Sequence, residues 1–253
     1  MQDRFSAIIV AAGTGRRMNS SVKKQYMEIA GAPVLYHTLT AFEKSDVDEI
    51  VIVTGEDEIP YVREQIVENY CLKKVVAICA GGKERCDSVY EGIKQVIRRQ
   101  ENTGQNDLND YVLIHDGVRP LITPELINSC INKVKEFDAV VPGVPEKDTV
   151  KEVGSDMEVT GTPDRKKLYR VQTPQCFKLA LINEAFEKYN SEKDHNVSSE
   201  SVAITDDAML VEKYTGHRVK IIEGDYRNIK ITTPEDIGMA EYFLKKSVRE
   251  NSN

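Results

Sequence analysis

A short apolar segment near the N-terminus, which opens into a glycine-containing loop, constrains the fold of this chain more than any other feature. Residues 8–12 are all apolar, and Gly13 and Gly15 follow them. Such a run is typical of a strand buried on both faces of a parallel sheet, and these sheets bind ligands at the carboxyl ends of their strands. Glycine lets main-chain N–H groups approach phosphate oxygens closely. The segment therefore predicts a phosphate site at the end of a buried strand.

Positive charge follows this loop. Arg16, Arg17 and Lys24 come next, and cations at this place suit a triphosphate whose charge grows on the leaving pyrophosphate. The spacing excludes a G-x-x-x-x-G-K-[ST] loop, and Met18 stands where a G-x-G-x-x-G/A dinucleotide loop has its third small residue. The loop alone also fits a tight strand-to-helix turn with solvated arginines, so other segments must decide between the two interpretations.

Strand-like runs alternate with helical patterns along the chain. This alternation predicts an α/β fold with a doubly wound, mainly parallel Rossmann-like sheet, in one domain over residues 1–253. The predicted strands are 5–11, 49–54, 74–79, 111–115, 138–142 and 218–223. The predicted helices are 33–44, 60–70, 85–99, 124–136, 179–189, 206–214 and 234–246. Two polar stretches, 100–110 and 190–201, are predicted to be surface loops.

A segment at about 144–172, called the arm below, departs from that alternation. Within it, residues 149–153 and 157–160 alternate in polarity around residues 154–156, a pattern that predicts a β-hairpin. A hairpin inserted into an α/β domain must bury its apolar face, and a second subunit is the obvious surface for it. We therefore predict a homodimer with exchanged arms.

Composition narrows the range of partners. The chain has 41 acidic and 34 basic residues, so a nucleic-acid partner is not expected. Local basic residues can still make a positive pocket for an anionic small molecule. The five cysteines form no C-x-x-C pair or zinc-type cluster, and their odd number fits a reducing compartment. Because there is no signal-peptide pattern and no apolar run of membrane-spanning length, we expect a cytoplasmic protein without a membrane partner.

Two further clusters follow strand-like runs. The glycines around Gly82 and the hydroxyl of Ser88 could recognise a nucleobase, although the same residues fit the N-terminal region of a helix. Asp116 suits a hydrated divalent cation that bridges to substrate phosphates, or a structural ion pair with Arg119. His115 lies in the strand pattern, so we interpret it as a hydrogen-bonded core residue.

Nine ordered motifs run along nearly the whole chain in the pattern of one known family. They are Ala11-Ala12-Gly13-x-Gly15-x-Arg17-Met18, Lys24-Gln25-Tyr26, Gly81-Gly82-x-x-Arg85-x-x-Ser88-Val89, His115-Asp116-x-x-Arg119-Pro120, Asp148-Thr149-x-Lys151, Arg165-x-x-Leu168, Gln172-Thr173-Pro174-Gln175-x-Phe177, Thr205-Asp206-Asp207-Ala208 and Glu223-Gly224-x-x-x-Asn228-Ile229-Lys230-Ile231-Thr232. With them the chain resembles the 2-C-methyl-D-erythritol 4-phosphate cytidylyltransferases of the non-mevalonate isoprenoid pathway.

The resemblance implies a reaction with CTP. The substrate's phosphate would attack the α-phosphorus of CTP, releasing pyrophosphate and forming a CDP-linked methylerythritol without a covalent enzyme intermediate. Three cations, Arg17, Lys24 and Lys230, would be catalytic. The implied nucleotide-binding residues are Ala11, Ala12, Gly13, Gly15, Gly82, Ser88 and Asp116.

The resemblance also implies a divalent cation, Mg²⁺, and a second substrate that is a sugar-alcohol phosphate. The candidate metal ligands are Asp116 and Asp225. Thr149 and Arg165 would come from the partner's arm, which gives the predicted dimer a role in the site. The full set implied for the sugar phosphate is Arg119, Thr149, Arg165, Thr173, Thr205 and Lys230.

Two alternatives stay open at this level. Ribitol 5-phosphate cytidylyltransferases share the glycine loop and the motifs at 115–120 and 172–175. Residues 149–151 and 205–207 favour methylerythritol phosphate instead. A catalytically silent nucleotide-binding protein could keep the same fold, but the retained charged candidates argue against it, because simple binding needs no group directed at transition-state charge.

Overall fold

A computed structural model describes residues 3–13, 22–102, 104, 108–194 and 204–250. The predicted site residues Gly15 and Arg17 lie outside the described residues, as does Arg16. The strands are β1 (Phe5–Val10), β2 (Glu28–Ile29), β3 (Ala32–Pro33), β4 (Glu49–Thr54), β5 (Val75–Ala80), β6 (Tyr111–Asp116), β7 (Ala139–Pro145), β8 (Glu152–Val153), β9 (Val159–Gly161), β10 (Tyr169–Val171), β11 (Gln175–Lys178) and β12 (Lys220–Glu223).

Eight of these strands form a central sheet. Its order is β10-β7-β11-β6-β1-β4-β5, and β12 also pairs with β7. The pairs β1–β4, β1–β6, β4–β5 and β7–β12 are parallel, whereas β10 and β11 run antiparallel to their neighbours. The mixed, mainly parallel sheet confirms the predicted fold class.

The apolar runs recognised in the sequence form the centre of this sheet. β4 and β6 are buried along their whole length, and β1 is buried up to its last residue, as expected for parallel strands covered on both faces. Val10 at the end of β1 pairs with Val53 on one side and with Asp116 on the other. The strands therefore end together, and we call this end the carboxyl edge of the sheet.

Helices cover both faces, as a doubly wound fold requires. On one face, Leu39 and Ile131 belong to a core cluster with alternate residues of the central strands. On the other face, Ile93, Phe186 and Leu210 belong to a second cluster. The helices are α1 (Val34–Glu43), α2 (Ile59–Tyr61, continued by a π-helical segment Val62–Glu68), α3 (Arg85–Asn102), α4 (Pro124–Phe137), α5 (Leu179–Asp194), α6 (Asp207–Thr215) and α7 (Pro234–Glu250). Within the described residues no helix has both the length and the apolar character to cross a membrane.

Several predicted boundaries were wrong. The polar stretches predicted as loops from residues 100 and 190 begin inside helices, since α3 continues to Asn102 and α5 to Asp194. Their polar side chains, such as Glu101 and Ser191, face solvent, so polarity there marked an exposed helix surface. The sequence analysis also missed β2, β3, β10 and β11, because two to four residues are too few to show a period.

The arm contains the predicted hairpin, with shorter strands than expected. β8 and β9 pair antiparallel outside the central sheet. The two ends of the arm belong to the central sheet instead, because Tyr169 pairs with Pro145. Its exposed large apolar side chains are Val150, Val153, Met157, Val159, Tyr169 and Val171. The exchange of arms between subunits stays a prediction.

Candidate active site

A cavity of about 490 Å³ opens at the carboxyl edge, where β1, β5 and β6 end. Parallel sheets place ligand sites at this edge. Five segments of the chain supply its three walls: residues 10–13 with 24–25 form the first, the segment 82–88 the second, and the residues around Asp116 with Lys230 the third. The predicted site residues that line it are Ala11, Ala12, Gly13, Lys24, Gly82, Ser88, Asp116 and Lys230.

The first wall is held together by Gln25. This residue is 1% exposed and lies in a short 3₁₀ turn, and its Nε2 donates to the carbonyl oxygens of Ala11 (2.7 Å) and Gly13 (3.2 Å). The neighbouring Lys24 reaches across the cavity, where its Nζ donates to the carbonyl oxygen of Ile231 at 3.0 Å. The turn that carries Lys24 is thus fixed to the glycine loop by a buried amide.

The second wall packs closely against the first. The hydroxyl of Ser88 accepts a hydrogen bond from the Gly82 N–H at 3.2 Å and donates to the carbonyl oxygen of Glu84 at 3.0 Å. A Cβ on Gly81 would lie 2.7 Å from the Cβ of Ala12 and 2.7 Å from Ser88 Oγ. Glycine is needed there so that the two loops can approach one another. The hydroxyl therefore bonds to the main chain of its own loop, and Gly82 and Ser88 both line the cavity.

Asp116 lies at the centre of a group of cations. Its carboxylate oxygens lie 3.0 Å from Lys230 Nζ, 3.4 Å from Arg119 Nε and 3.5 Å from Arg85 Nε. Burial raises the pKa of Asp116, but the three adjacent cations outweigh this effect and hold the pKa well below its usual range. The carboxylate is therefore ionised at neutral pH.

Arg85 joins Asp116 to a second carboxylate, that of Asp207. Its Nη1 and Nη2 donate to the two oxygens of Asp207 at 2.9 and 2.8 Å. Asp207 is fully buried at the start of α6, and Arg85 begins α3. Burial lowers the pKa of Arg85, but Asp207 outweighs it and the pKa is raised. A bidentate pair of this kind fixes the guanidinium plane as well as its charge.

His115 and Thr173 support Asp116 from behind. The Thr173 hydroxyl accepts from the Asp116 N–H at 3.2 Å and lies 2.9 Å from His115 Nδ1. His115 is fully buried, and burial lowers its pKa to about 3. The prediction of a hydrogen-bonded core histidine is confirmed, and such a group cannot serve as a proton acceptor from substrate at neutral pH. Arg119 is anchored here too, with Nη1 donating to the carbonyl oxygen of Asn228 at 2.8 Å.

Comparison with known proteins agrees with this geometry. The family model of IspD, 2-C-methyl-D-erythritol 4-phosphate cytidylyltransferase, matches residues 5–246. The chain belongs to this family. A cytidylyltransferase of that name from Lachnoclostridium phytofermentans is 44% identical over 244 residues, which is 96% of this chain and 97% of the relative. One from Alkaliphilus oremlandii is 46% identical over 243 residues, 96% and 95% of the two chains.

Solved structures give the same result. The crystal structure of 4-diphosphocytidyl-2C-methyl-D-erythritol synthase from Anaerococcus prevotii aligns with a TM-score of 0.78 and 36% identity, covering 96% of each chain. The Francisella tularensis cytidylyltransferase aligns with a TM-score of 0.74 and 27% identity, over 95% of this chain and 99% of that one. The resemblance recognised from the sequence motifs is confirmed.

Six described residues predicted for the site do not line the cavity of this single chain: Arg119, Thr149, Arg165, Thr173, Thr205 and Asp225. Arg119 and Thr173 are buried beside Asp116. Thr149 and Arg165 are exposed in the arm, where Arg165 Nη1 donates to the carbonyl oxygen of Lys147 at 2.8 Å. Thr205 is exposed before α6, with its hydroxyl 3.6 Å from Met209 Sδ. Their roles toward a sugar phosphate stay predictions, and for the two arm residues they depend on a second subunit.

The chemistry of the cavity fits a divalent cation held by few protein ligands. The described residues contain no cluster of three or more His, Cys, Asp or Glu that could hold a metal. Mg²⁺ needs only one or two carboxylates when substrate phosphates and water complete its shell, and Asp116 supplies one. The second candidate, Asp225, accepts from Arg227 through Nε at 3.0 Å and Nη2 at 2.8 Å, so its carboxylate is engaged by an arginine. Its role as a ligand stays a prediction.

Sequence reasoning missed three residues that the structure brings into the site. Gln25, Arg85 and Asp207 all stand in the cytidylyltransferase motifs, yet they received no role. The available signal was their type and position: an amide beside the catalytic lysine candidate, and an arginine and an aspartate at the starts of two predicted helices. The contact between two positions 122 residues apart could not be inferred from one sequence.

Proposed function

We propose that this protein joins CTP and 2-C-methyl-D-erythritol 4-phosphate to give 4-diphosphocytidyl-2-C-methyl-D-erythritol and pyrophosphate. The observation that carries the proposal is the pairing of a glycine loop with cations and an ionised carboxylate in one cavity. Lys24 enters that cavity from the turn after β1, and Lys230 enters it from the opposite end of the chain beside Asp116. The family to which the chain belongs is named for this activity.

The cavity suits an in-line attack by a phosphate. A phosphate monoester is already an anionic nucleophile, so the enzyme needs to position it and to offset charge on the α-phosphate and the leaving pyrophosphate. The charged side chains lining the cavity are Lys24, Lys83, Glu84, Arg85, Asp116 and Lys230. Four of these are cations, which matches a reaction that needs charge neutralisation more than a base.

We assign Lys24, Lys230 and Arg17 to the triphosphate. Lys24 Nζ rests on the carbonyl oxygen of Ile231, and Lys230 Nζ rests on Asp116. Both amines therefore contact oxygen atoms of the protein that phosphate oxygens can replace. Arg17 follows the same glycine loop in the sequence and is assigned by the family motif.

We assign the cytidine to the cleft between the two loops. Gly13 and its neighbouring alanines expose main-chain groups on one side, and Gly82 with Ser88 lies on the other. The Gly82 N–H already bonds to the Ser88 hydroxyl at 3.2 Å, which orients that hydroxyl before any ligand arrives. Preorganised groups of this kind cost little to order on binding.

We assign the divalent cation to Asp116. When bound, Mg²⁺ would screen charge on the phosphates and hold them in line. Both oxygens of Asp116 contact cationic side chains, with Lys230 the nearest at 3.0 Å, so we expect Lys230 to leave Asp116 for a substrate phosphate as the metal is taken up. Asp225 is the weaker candidate for a second ligand.

We assign Arg119, Thr173, Thr205 and Lys230 of one subunit, with Thr149 and Arg165 of the other, to the sugar phosphate. The exposed apolar residues of the arm support a homodimer with exchanged arms, because a hairpin of two- and three-residue strands is not stable without a surface to cover it. The whole chain would then act as one nucleotidyltransferase domain, which we expect in the cytoplasm.

The test of this function is pyrophosphate release with CTP, Mg²⁺ and methylerythritol phosphate, compared with ribitol 5-phosphate. We expect turnover with methylerythritol phosphate and little with ribitol 5-phosphate. Faster turnover of ribitol 5-phosphate would contradict the choice of substrate. No turnover of either compound would favour a silent nucleotide-binding protein.

The catalytic assignment has a separate test in Lys24→Ala and Arg17→Ala. We expect turnover to fall by roughly a hundredfold or more while CTP affinity falls less, because these cations act on charge that develops in the transition state. Lys133→Ala is the matched control, since Lys133 is an exposed lysine on α4 that pairs with Glu136. Equal losses of binding and turnover would mean uniform binding and would contradict the assignment.

A further inference from the structure

Arg85 connects two parts of the proposed site that belong to different substrates. It lines the nucleotide cavity and begins the helix that follows the 82–84 loop. Its guanidinium holds both oxygens of Asp207, in the first turn of α6. Thr205, the candidate sugar-phosphate residue, stands two positions before Asp207. The Arg85 side chain therefore connects the wall of the nucleotide cavity with the start of α6, next to the candidate sugar-phosphate residue.

The start of α6 is also anchored on the sheet. Asp206 caps the helix by accepting from the Met209 N–H at 2.9 Å. The Gln175 amide accepts from the Ala208 N–H at 3.0 Å and donates to Asp206 at 2.9 Å. Because Gln175 lies in β11 and is 2% exposed, α6 has a fixed support that does not depend on the nucleotide wall. The Arg85–Asp207 pair is thus an additional link rather than the support of the helix.

The charges make this link sensitive to what enters the cavity. Arg85 Nε also lies 3.5 Å from Asp116, the candidate metal ligand. Asp207 is fully buried, and both of its carboxylate oxygens accept hydrogen bonds from the arginine, which offsets the cost of burying the carboxylate. The side chain of Arg85 is 30% exposed toward the cavity. A triphosphate and a cation that bind beside Asp116 change the electrostatic field at Arg85. The second carboxylate partner, Asp207, meanwhile holds Arg85 to α6.

We propose that Asp207 is a positioning residue which, through Arg85, couples occupancy of the nucleotide cavity to binding of the sugar phosphate at the start of α6. The inference rests on the proposed function, since it takes the two substrates from it. By linkage, the nucleotide raises the affinity for the sugar phosphate by the same factor by which the sugar phosphate raises the affinity for the nucleotide. The Arg85–Asp207 pair contributes part of this coupling between the two binding sites.

The experiment measures this factor by calorimetry. Methylerythritol phosphate is titrated into the Mg²⁺-loaded protein with and without a CTP analogue whose α,β-bridging oxygen is replaced by methylene, so that no transfer occurs. For the wild type we expect the analogue to raise affinity for the sugar phosphate by about tenfold, within the usual range of coupling between sites. In Asp207→Asn we expect this ratio to fall below about threefold. Asp207→Glu keeps the charge and should restore most of it.

Glu49→Gln is the matched control for burying an uncharged amide in place of a carboxylate. Glu49 is 5% exposed and lies 3.4 Å from Arg4 and 3.6 Å from Arg99. It begins β4, at the end of the strands opposite the cavity. The substitution should lower thermal stability as Asp207→Asn does, yet leave the affinity ratio unchanged. An equal loss of the ratio in Glu49→Gln would show a general structural effect and overturn the inference.

Arg85→Lys keeps the inference falsifiable if Asp207→Asn does not fold. Lysine retains the charge but loses the bidentate fork, so the affinity ratio should fall although the net charge is unchanged. A wild-type ratio of one, or a ratio that neither variant changes, overturns the inference. Pyrophosphate release is measured in parallel. If the wild type releases pyrophosphate but neither variant changes the affinity ratio, only the coupling is overturned. If the wild type releases none, the proposed function is overturned and the inference with it.

Discussion

The carboxyl edge and the arm differ in how far each is completed within one chain. At the edge, Asp116 and Asp207 are 6% and 0% exposed, and both are paired with arginine. In the arm, Met157 and Val159 are 75% and 60% exposed on a small hairpin. The edge pairs its two buried carboxylates within one chain, whereas the arm presents apolar surface that a folded chain ordinarily covers.

This difference indicates which binding groups are already held in place within one chain and which are not. The edge is preorganised, because buried ion pairs fix its side chains before substrate arrives. The arm carries Thr149 and Arg165 on exposed segments, so in the proposed dimer their position toward a substrate depends on a second subunit. Substitutions at the edge should therefore act on chemistry and nucleotide binding, and substitutions in the arm on assembly and the second substrate.

The largest effect is expected from Asp116→Asn. Three cations would lose their common carboxylate, and the candidate metal ligand would be lost. We expect kcat/KM for pyrophosphate release to fall by about a thousandfold, the upper end for loss of a group that stabilises transition-state charge. Sedimentation should show the same oligomeric state as the wild type.

Asp156→Asn provides the comparison within the arm. Asp156 is an exposed turn residue whose Oδ1 accepts from the Glu158 N–H at 3.1 Å. Like Asp116→Asn, this substitution removes one negative charge by an isosteric change. We expect kcat/KM to stay within about threefold of the wild type, since exposed turn residues contribute little. Similar losses in both variants would contradict the division between the two regions.

The next effect is expected from the double variant Met157→Asp/Val159→Asp. Two carboxylates on the hairpin should prevent its burial against a second subunit, so a wild-type homodimer becomes a monomer by sedimentation. Loss of Thr149 and Arg165 from the partner's site should raise KM for the sugar phosphate by about a hundredfold, equivalent to one or two charge-assisted hydrogen bonds. The KM for CTP should change little.

Tyr242→Asp is the control for this variant, because Tyr242 in α7 is 63% exposed and lies outside the arm. It should leave both the dimer and the kinetics unchanged. A wild type that is monomeric and fully active would refute the exchanged arms, and so would a double variant that stays dimeric with an unchanged KM.

The sequence predicted the edge better than the arm for a physical reason. Residues such as Gly82 and Asp116 lie at the ends of strand-like runs, and the ends of parallel strands meet at one edge of the sheet. Their convergence therefore followed from local patterns. The Arg85–Asp207 pair joins two helix starts, and Gln25 acts on the carbonyl oxygens of a loop, so neither leaves a periodic signal.

The fold shows the same limit. The long apolar runs of β1, β4 and β6 were predicted within one residue at each end, because burial on both faces requires such runs. The short β11 lies between β6 and β7 and runs antiparallel to both. Its four residues carry no period, so its place in the sheet depends on tertiary contacts that the sequence pattern does not contain.

A pH dependence of stability should also distinguish the two regions. The pKa of His115 falls from its ordinary value of 6.5 to about 3 on folding, because the ring is buried. The unfolded chain takes up this proton below about pH 6.5 while the folded chain does not, so stability falls as pH falls from about 6.5 toward 3. Between pH 7 and 5 this amounts to about 2 kcal/mol, roughly thirtyfold in the unfolding constant.

The measurement is urea unfolding in EDTA at both pH values. His115→Asn should remove most of this loss, although the variant is less stable at pH 7. Glu146→Gln, at the half-buried base of the arm, should keep the wild-type pH dependence. If His115→Asn loses as much stability as the wild type between pH 7 and 5, then His115 is not the group responsible.

The smallest effect is expected from two glycine substitutions, one in each region. Neither Gly82 nor Gly154 has a left-handed backbone conformation, so only the space around a new Cβ matters. On Gly82 it would meet the Cβ of Asp87 and lie 3.3 Å from that residue's main-chain carbon atoms. On Gly154 it would meet only side chains, with Asp156 Oδ1 the nearest at 2.8 Å.

Because main chain must move in Gly82→Ala, the loop that we assign to the cytidine should shift away from its position. We expect KM for CTP to rise by about tenfold, as for a local overpacking of 1–3 kcal/mol, with kcat nearly unchanged. In Gly154→Ala the carboxylate of Asp156 can rotate into solvent, and we expect kinetics and dimerisation like those of the wild type. Equal rises in KM would mean that the nucleotide loop tolerates displacement as easily as the hairpin does, and the edge would then not be the preorganised region.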